Sequence, residues 1–317
     1  MAVIEVRDVS IRYITGDFKD IGLKEYVTRR LTGNYHVREF WADRHVSFSL
    51  NKGEMLGIIG SNGAGKSTIL KAISGIMVPT EGSVSVSGTI AALLELGAGF
   101  DGELTVRENT FLRDALLGYT RAFMNEKYDE IIGFAELEDF QDRPFKQLSS
   151  GMKSRLAFSI ACLVNPDVLI LDEVLSVGDG AFREKSGGKM KEILGNGLTA
   201  ILVSHSVDHI RELCSKVLWL DHGNQVAFTD EVSLYCDAYE EFLVRKTLPK
   251  NRDEVEALAE GYRIRKEAEN RRKRQSQTEK LLSMLEESED HAALEAALSL
   301  VRRMSPEKLA KTPAGEA

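Results

Sequence analysis

The chain has 317 residues, of which 43% are hydrophobic and 28% charged, so it has enough apolar material to bury the core of one large domain or two small ones. Its three cysteines, six prolines and 26 glycines exclude disulfide-framework, collagen-like and low-complexity architectures, and its net charge of −8 argues against nucleic-acid partners. No window approaches 18 uninterrupted apolar residues and the first residues lack a signal-peptide pattern, so a cytosolic chain with no membrane span of its own is expected.

Residues 2–13 alternate as a strand does, with Val3, Glu5 and Arg7 giving way to Val9, Ile11 and Tyr13. Residues 14–44 are polar and aromatic, with a helix-like stretch at Lys24–Leu31. Residues 46–50 and 55–59 are strand-like again, the second with the unbroken apolar run of a buried strand. A glycine-rich turn follows, then a helical stretch at Ser67–Ser74, and residues 106–140 are mostly helical in pattern. The short β-branched runs Val168–Leu171 and Thr199–Val203 each meet a turn and then a helix. Strands alternating with helices predict an α/β domain on a largely parallel sheet.

Residues 1–245 hold 26 Lys and Arg against 35 Asp and Glu, whereas residues 246–317 hold 15 against 14. That shift, beside Pro249, places the domain boundary at 245/246. Beyond it the pattern is helical: Val255, Leu258 and Tyr262 stand at i, i+3 and i+7, as do Leu294, Leu298 and Val301. The tail is either a solvated helical extension with a disordered end at Thr312–Ala317, or a helical hairpin that docks on a partner subunit or supports dimerisation. Its run Arg263–Arg274, seven basic residues against two acidic, is a solvated helix face or a contact for anionic headgroups.

Gly60-Ser61-Asn62-Gly63-Ala64-Gly65-Lys66-Ser67-Thr68 fits G-x-x-x-x-G-K-[ST] between a buried strand and a helix. Consecutive backbone N–H groups of such a loop form an anion nest at the positive end of the helix. Lys66 reaches β- and γ-phosphate oxygens there, and the Ser67 hydroxyl is a hard oxygen ligand suited to Mg²⁺. The run Val168–Leu171 ends in Asp172 and Glu173. Asp172 is the second candidate metal ligand, and Glu173 the candidate general base for an attacking water.

Leu148-Ser149-Ser150-Gly151-Met152 opens a helix through Ala161, shortly before the aspartate strand. Together these motifs resemble the ATP-binding cassette (ABC) ATPases, whose signature motif sits there; Leu148, Ser149 and Gly151 agree with it, while Ser150 and Met152 depart. The resemblance implies a P-loop ATPase fold with a mixed, largely parallel sheet and a helical subdomain at about 100–160, ATP and Mg²⁺ as ligands, and a head-to-tail homodimer. In that dimer Ser149, Ser150, Gly151 and Met152 face the ATP of the opposite subunit. It implies a switch role for His205 at the γ-phosphate, a D-loop role for Asp179 and an adenine-stacking role for Tyr13, which packing explains equally well. The usual loop glutamine is missing from Leu93–Phe100, where Glu95 or the backbone fills its role or the contact is absent.

Residues 36–48, Leu96–Phe100, Leu104–Asn109, Ser149–Arg155 and Val177–Asp179 further resemble the ATP-binding subunits of bacterial polysaccharide exporters of the teichoic-acid and O-antigen type. That resemblance, over residues 2–245, implies ATP hydrolysis that powers polymer export through a separate multi-span permease, with the chain peripheral on the cytoplasmic face of the plasma membrane. Contact with the polysaccharide would be indirect, although Tyr26, Arg29, Arg30, Tyr35, Phe40 and Trp41 of the insert are candidates to shape the polymer's path. The alternatives are an ABC subunit for an exported lipid or drug, or a soluble ABC ATPase outside transport.

Overall fold

The computed structural model describes residues 2–16, 37–93, 99–172, 180–195, 197–204 and 206–286. The chain divides into two compact units, Met1–Tyr239 and Glu240–Ala317.

Among the described residues of the first unit nine strands form one sheet: β1 (Ala2–Gly16), β2 (Val37–Asn51), β3 (Met55–Ile59), β4 (Glu81–Val86), β5 (Ile90–Leu93), β6 (Val168–Asp172), β7 (Thr199–Val203), β8 (Lys216–Asp221) and β9 (Asn224–Thr229). Their order is β4-β1-β2-β9-β8-β3-β7-β6-β5. The run β8-β3-β7-β6-β5 is parallel, whereas β4, β1 and β2 pair antiparallel. The two parts differ for a reason visible in their residues. Every residue of β3 and β7 is buried, as the continuous apolar runs of a sheet covered on both faces require. β4, by contrast, is exposed to half-buried throughout.

Helix α1 (Lys66–Ile73) follows β3 directly and buries Ile69, Leu70, Ala72 and Ile73. These join Ile4, Val9, Val46, Leu50 and Ile58 in one core, so α1 is clamped between the antiparallel and parallel strands. A second core belongs to α2 (Val106–Leu116), α3 (Arg121–Ala135) and α4 (Ser150–Leu163), where Met124, Tyr128, Ile131, Phe145, Leu156 and Ile160 pack together. Thr120 caps α3 and Ser149 caps α4, each accepting the backbone N–H of the third residue of its helix. Two further helices, α5 (Gly180–Gly195) and α6 (Val207–Leu213), complete the crossovers, and α7 (Val232–Arg245) begins in this unit.

The second unit contains the end of α7 and α8 (Arg252–Glu286). Val255, Leu258, Ala259 and Tyr262 are buried along one stripe of α8. Glu241, almost wholly buried, accepts from Arg245 Nε at 2.6 Å and from Arg265 Nε at 3.0 Å, fastening the two helices. The stripe at Leu294, Leu298 and Val301, the disordered end expected at Thr312–Ala317 and the helix-like stretch Lys24–Leu31 lie outside the described residues. Among the described residues no helix is long and apolar enough to cross a membrane.

Candidate nucleotide-binding site

The turn from β3 into α1 is held from below by backbone contacts that only glycine permits. A Cβ on Gly60 would stand 2.4 Å from the Leu220 carbonyl oxygen. Gly65, the residue before α1, has φ +105°, and a Cβ there would stand 2.0 Å from Asp43 Oδ1 and 2.9 Å from the Ala42 carbonyl oxygen. The tip of the β8–β9 hairpin closes the other side: Gly223 N–H donates to Ala64 O at 3.1 Å, and Arg44 N–H of β2 donates to Gly223 O at 2.7 Å. Sheet, hairpin and helix therefore fix the loop backbone in one shape.

The loop opens into a cleft of about 530 Å³. Residues Asn62, Gly63, Ala64, Gly65, Lys66, Ser67 and Thr68 form its floor, Val203 of β7 borders it, and Tyr13, Phe40 and Ala42 form the wall opposite. Among the described residues no side chain caps α1, and its first turn carries no acidic residue. The N-terminal N–H groups of α1 thus stand at the floor of the cleft with positive helix-dipole charge behind them, as an anion site requires. Lys66 Nζ donates to the Gly60 and Ser61 carbonyl oxygens at 2.7 and 3.0 Å, which holds the ammonium over the loop. The Ser67 side chain is exposed in the cleft.

Tyr13 and Phe40 are directly paired across β1 and β2, so their rings share one face of the antiparallel ribbon. Both are exposed, and among the described residues the Tyr13 hydroxyl reaches only Met77 Sδ, at 3.7 Å. An open aromatic pair above an anion nest suits a ligand with a flat ring at one end and phosphate at the other. Trp41, grouped with the insert by its sequence position, has the guanidinium carbons of Arg12 and Arg44 5.4 and 5.8 Å from its ring centroid.

Asp172 ends β6 directly beside Val203, which lines the cleft, so the sheet register brings its backbone to the cleft's edge. Ser149, Ser150, Gly151 and Met152 lie at the start of α4, mostly exposed, with Ser149 Oγ accepting from Met152 N–H at 3.2 Å. Among the described residues lining the cleft, none comes from that turn. Glu95, Glu173, Asp179, His205 and the insert residues Tyr26, Arg29, Arg30 and Tyr35 lie outside the described residues.

Four residues at the site are not placed there by the sequence. Phe40 was grouped with the insert, since antiparallel register is invisible before the strands are paired. Asp221 and His222 sit in the hairpin tip, where Asp221 Oδ2 meets His222 Nδ1 at 2.8 Å and Ser61 Oγ approaches Asp221 Oδ1 at 3.4 Å. Asp43 is fully buried beneath the loop, and neither of its carboxyl oxygens has a hydrogen-bond partner among the described residues. Burial pushes its pKa up from 3.8 to about 7. Its one legible signal was a carboxylate interrupting the strand-like run Phe40-Trp-Ala-Asp-Arg-His-Val46.

A buried parallel strand, a glycine loop held from below and a free helix N-terminus define a P-loop nucleotide-binding cassette. Residues 44–176 match the ABC transporter family. The chain is 43% identical over 185 residues, 58% of its length and 75% of the relative's, to the O-antigen export system ATP-binding protein RfbB of Klebsiella pneumoniae. It is 41% identical over 221 residues, 70% of its length and 39% of the relative's, to the teichoic acids export ATP-binding protein TagH of Bacillus anthracis. A dimeric ATP-binding cassette in a post-hydrolysis state with ADP and phosphate superposes with a TM-score of 0.55 at 21% identity, over 72% of this chain and 98% of that one. This chain is a member of the ABC transporter family, on the side of its ATP-binding proteins. Its match spans 39 to 61% of the length of three of its curated relatives.

Proposed function

We propose that the chain is the ATP-hydrolysing subunit of an exporter for a lipid-linked polysaccharide of the teichoic-acid or O-antigen class, working on the cytoplasmic face of the plasma membrane through a separate multi-span permease. The similarity of its cassette to export proteins of those two classes carries the substrate assignment. The cleft supports the choice of ATP: a ring-sized aromatic wall at Tyr13 and Phe40 faces a phosphate nest at Asn62–Thr68.

In this reading the loop N–H groups and Lys66 hold the β- and γ-phosphates, and Tyr13 and Phe40 orient the base. The donor set fits Mg²⁺: Ser67 offers a hydroxyl in the cleft and Asp172 ends the strand two places from β3. The ion, held by Ser67 and Asp172, would supply neutralisation of phosphate charge. Glu173 takes the proton of the attacking water, and His205 orients the γ-phosphate. The N-terminus of α4 is exposed and does not line the cleft of its own subunit; in this reading it completes the ATP site of a second copy in a head-to-tail homodimer. ATP then closes the dimer and hydrolysis reopens it, and the permease receives that motion.

The test is Glu173→Gln. It is expected to bind ATP, to lose steady turnover and to run as an ATP-dependent dimer on size exclusion; hydrolysis at the wild-type rate refutes the assignment of Glu173. Restoration of surface polymer in strains lacking the ATPase subunit of an O-antigen or a teichoic-acid exporter tests the substrate class. Rescue of a lipid or drug exporter instead, with no rescue of either polymer strain, refutes it.

A further inference from the structure

Asp43 has no structural reason to be acidic. It sits on β2 with no exposed surface, and neither oxygen finds a donor among the described residues. A carboxylate left in that state is costly, and the desolvation cost is one that an apolar residue there would not carry. Its place is specific: Oδ1 lies against Gly65, at the point where the loop turns into α1 and its N–H groups converge.

The charged groups around it are engaged elsewhere: Arg12, on the paired strand β1, donates to Glu39 Oε2 at 3.0 Å. Lys66, on α1, donates to Gly60 O and Ser61 O. Asp221 and His222, in the hairpin tip, contact each other, and Asp221 also meets Ser61. On β2 itself Arg44 lies near Trp41, and His45 meets Asp8 Oδ1 at 2.9 Å. None of them supplies Asp43 with a hydrogen bond.

We infer that Asp43 is a proton-linked positioning residue of the nucleotide site: a phosphate in the loop is held by the form of the protein whose Asp43 is protonated, so nucleotide uptake carries a proton with it. The inference rests on the proposed reading of the cleft as a nucleotide site. Two anions on either side of one turn of backbone, one of them shielded from water, oppose each other, and the carboxylate is the one that can be neutralised. The step is a simple protonation: a carboxylate oxygen takes a proton from buffer as the nucleotide enters and returns it on release. Burial already holds the group near neutral pH, at about 7, so the bound phosphate has only to push the equilibrium further the same way. By linkage, nucleotide affinity falls as pH rises above 7, by up to tenfold in Kd per pH unit, and levels off where the bound form also ionises.

Calorimetric titration of the full chain with ADP tests this, in two buffers of different ionisation enthalpy at pH 8. ADP itself is fully ionised there, and it does not turn over. The wild type is expected to take up most of one proton per ADP bound, and its Kd to rise severalfold between pH 7 and pH 8. Asp43→Asn and Asp43→Leu are each expected to bind ADP with several-fold less proton uptake and a nearly flat Kd over that range. The two variants guard against one of them failing to fold, and the wild-type proton count stands without either. If the wild type binds ADP without proton uptake, or takes up as many protons as the variants, the inference is wrong while the cleft reading stands. If ADP fails to bind at any pH, the cleft is not a nucleotide site and both readings fall.

Discussion

Replacing Asp43 by asparagine is expected to stabilise the fold at neutral and alkaline pH. The folded chain holds this carboxyl at a pKa of about 7, against 3.8 for an exposed aspartate, because burial disfavours its charged form. A raised folded-state pKa means that stability is fully present below the unfolded value, near pH 4, and is lost as pH climbs to 7. The shift of about 3 units corresponds to about 4 kcal/mol across that window. Asparagine keeps the shape and cannot ionise, so its advantage over the wild type should be small at pH 4, grow steadily to pH 7 and stay constant above. Urea unfolding followed by tryptophan fluorescence reports this, since Trp219 is fully buried in the sheet. Carboxylates such as Glu54 and Asp167, held low by their hydrogen bonds, erode stability in acid for both proteins alike and cancel in the difference. A difference between variant and wild type that is the same at pH 4 and pH 8 refutes the buried, unpartnered state of Asp43.

Gly65→Ala should lose about 2 kcal/mol or more, because alanine is strained at φ +105° and its Cβ would overlap Asp43 Oδ1; thermal unfolding and ADP affinity should both fall. Phe40→Ala should weaken ATP binding about tenfold, the loss of one stacked base being worth about 1–3 kcal/mol, while leaving affinity for inorganic triphosphate unchanged in competition with a fluorescent nucleotide. In the second unit, Glu241→Ala should cost about 2 kcal/mol, seen as faster hydrogen exchange in α7 and α8. Burial alone would raise the Glu241 pKa, but hydrogen bonds from Arg245 and Arg265 hold it below the usual value. The wild-type advantage over Glu241→Ala is therefore present above about pH 4.5 and disappears on acidification through that lowered pKa.

What could be read from the sequence follows the range of the interactions involved. The loop Gly60–Thr68, the strand before it and the helix after it are contiguous, and periodicity together with glycine spacing suffices to find them. The runs Val168–Asp172 and Thr199–Val203 are legible because buried parallel strands are apolar without interruption. The β8–β9 hairpin escaped notice: its two-residue tip is His222-Gly223, both with positive φ, where the stronger signal would be Asn-Gly or Asp-Gly. β4, with the sequence Glu-Gly-Ser-Val-Ser-Val, offers little apolar material to recognise. For the site, the phosphate end was legible and the far wall was not. Phe40 joins Tyr13 only through a pairing of strands separated by residues 17–36 in the chain.

The least legible feature is the one that brings these parts together. Ile11 pairs with Asp43 and Arg12 with Trp41, so β2 carries Ala42 as an extra residue opposite the continuous β1. Such a bulge bends its strand and breaks the alternation of faces. With regular alternation, Ala42 and Asp43 would point to opposite sides of the sheet. Here the Ala42 and Asp43 side chains are both buried, the Ala42 carbonyl and the Asp43 carboxyl approach Gly65, and Phe40, two residues before Ala42, stands on the wall of the cleft. One short segment thus carries the base wall, the support of the phosphate loop and the buried acid. Deletion of Ala42 would remove this one register shift and move the β2 residues on one side of it to the other face. Loss of base stacking and loss of the Asp43 proton linkage should then appear together in the same protein, whereas Phe40→Ala and Asp43→Asn each remove only one.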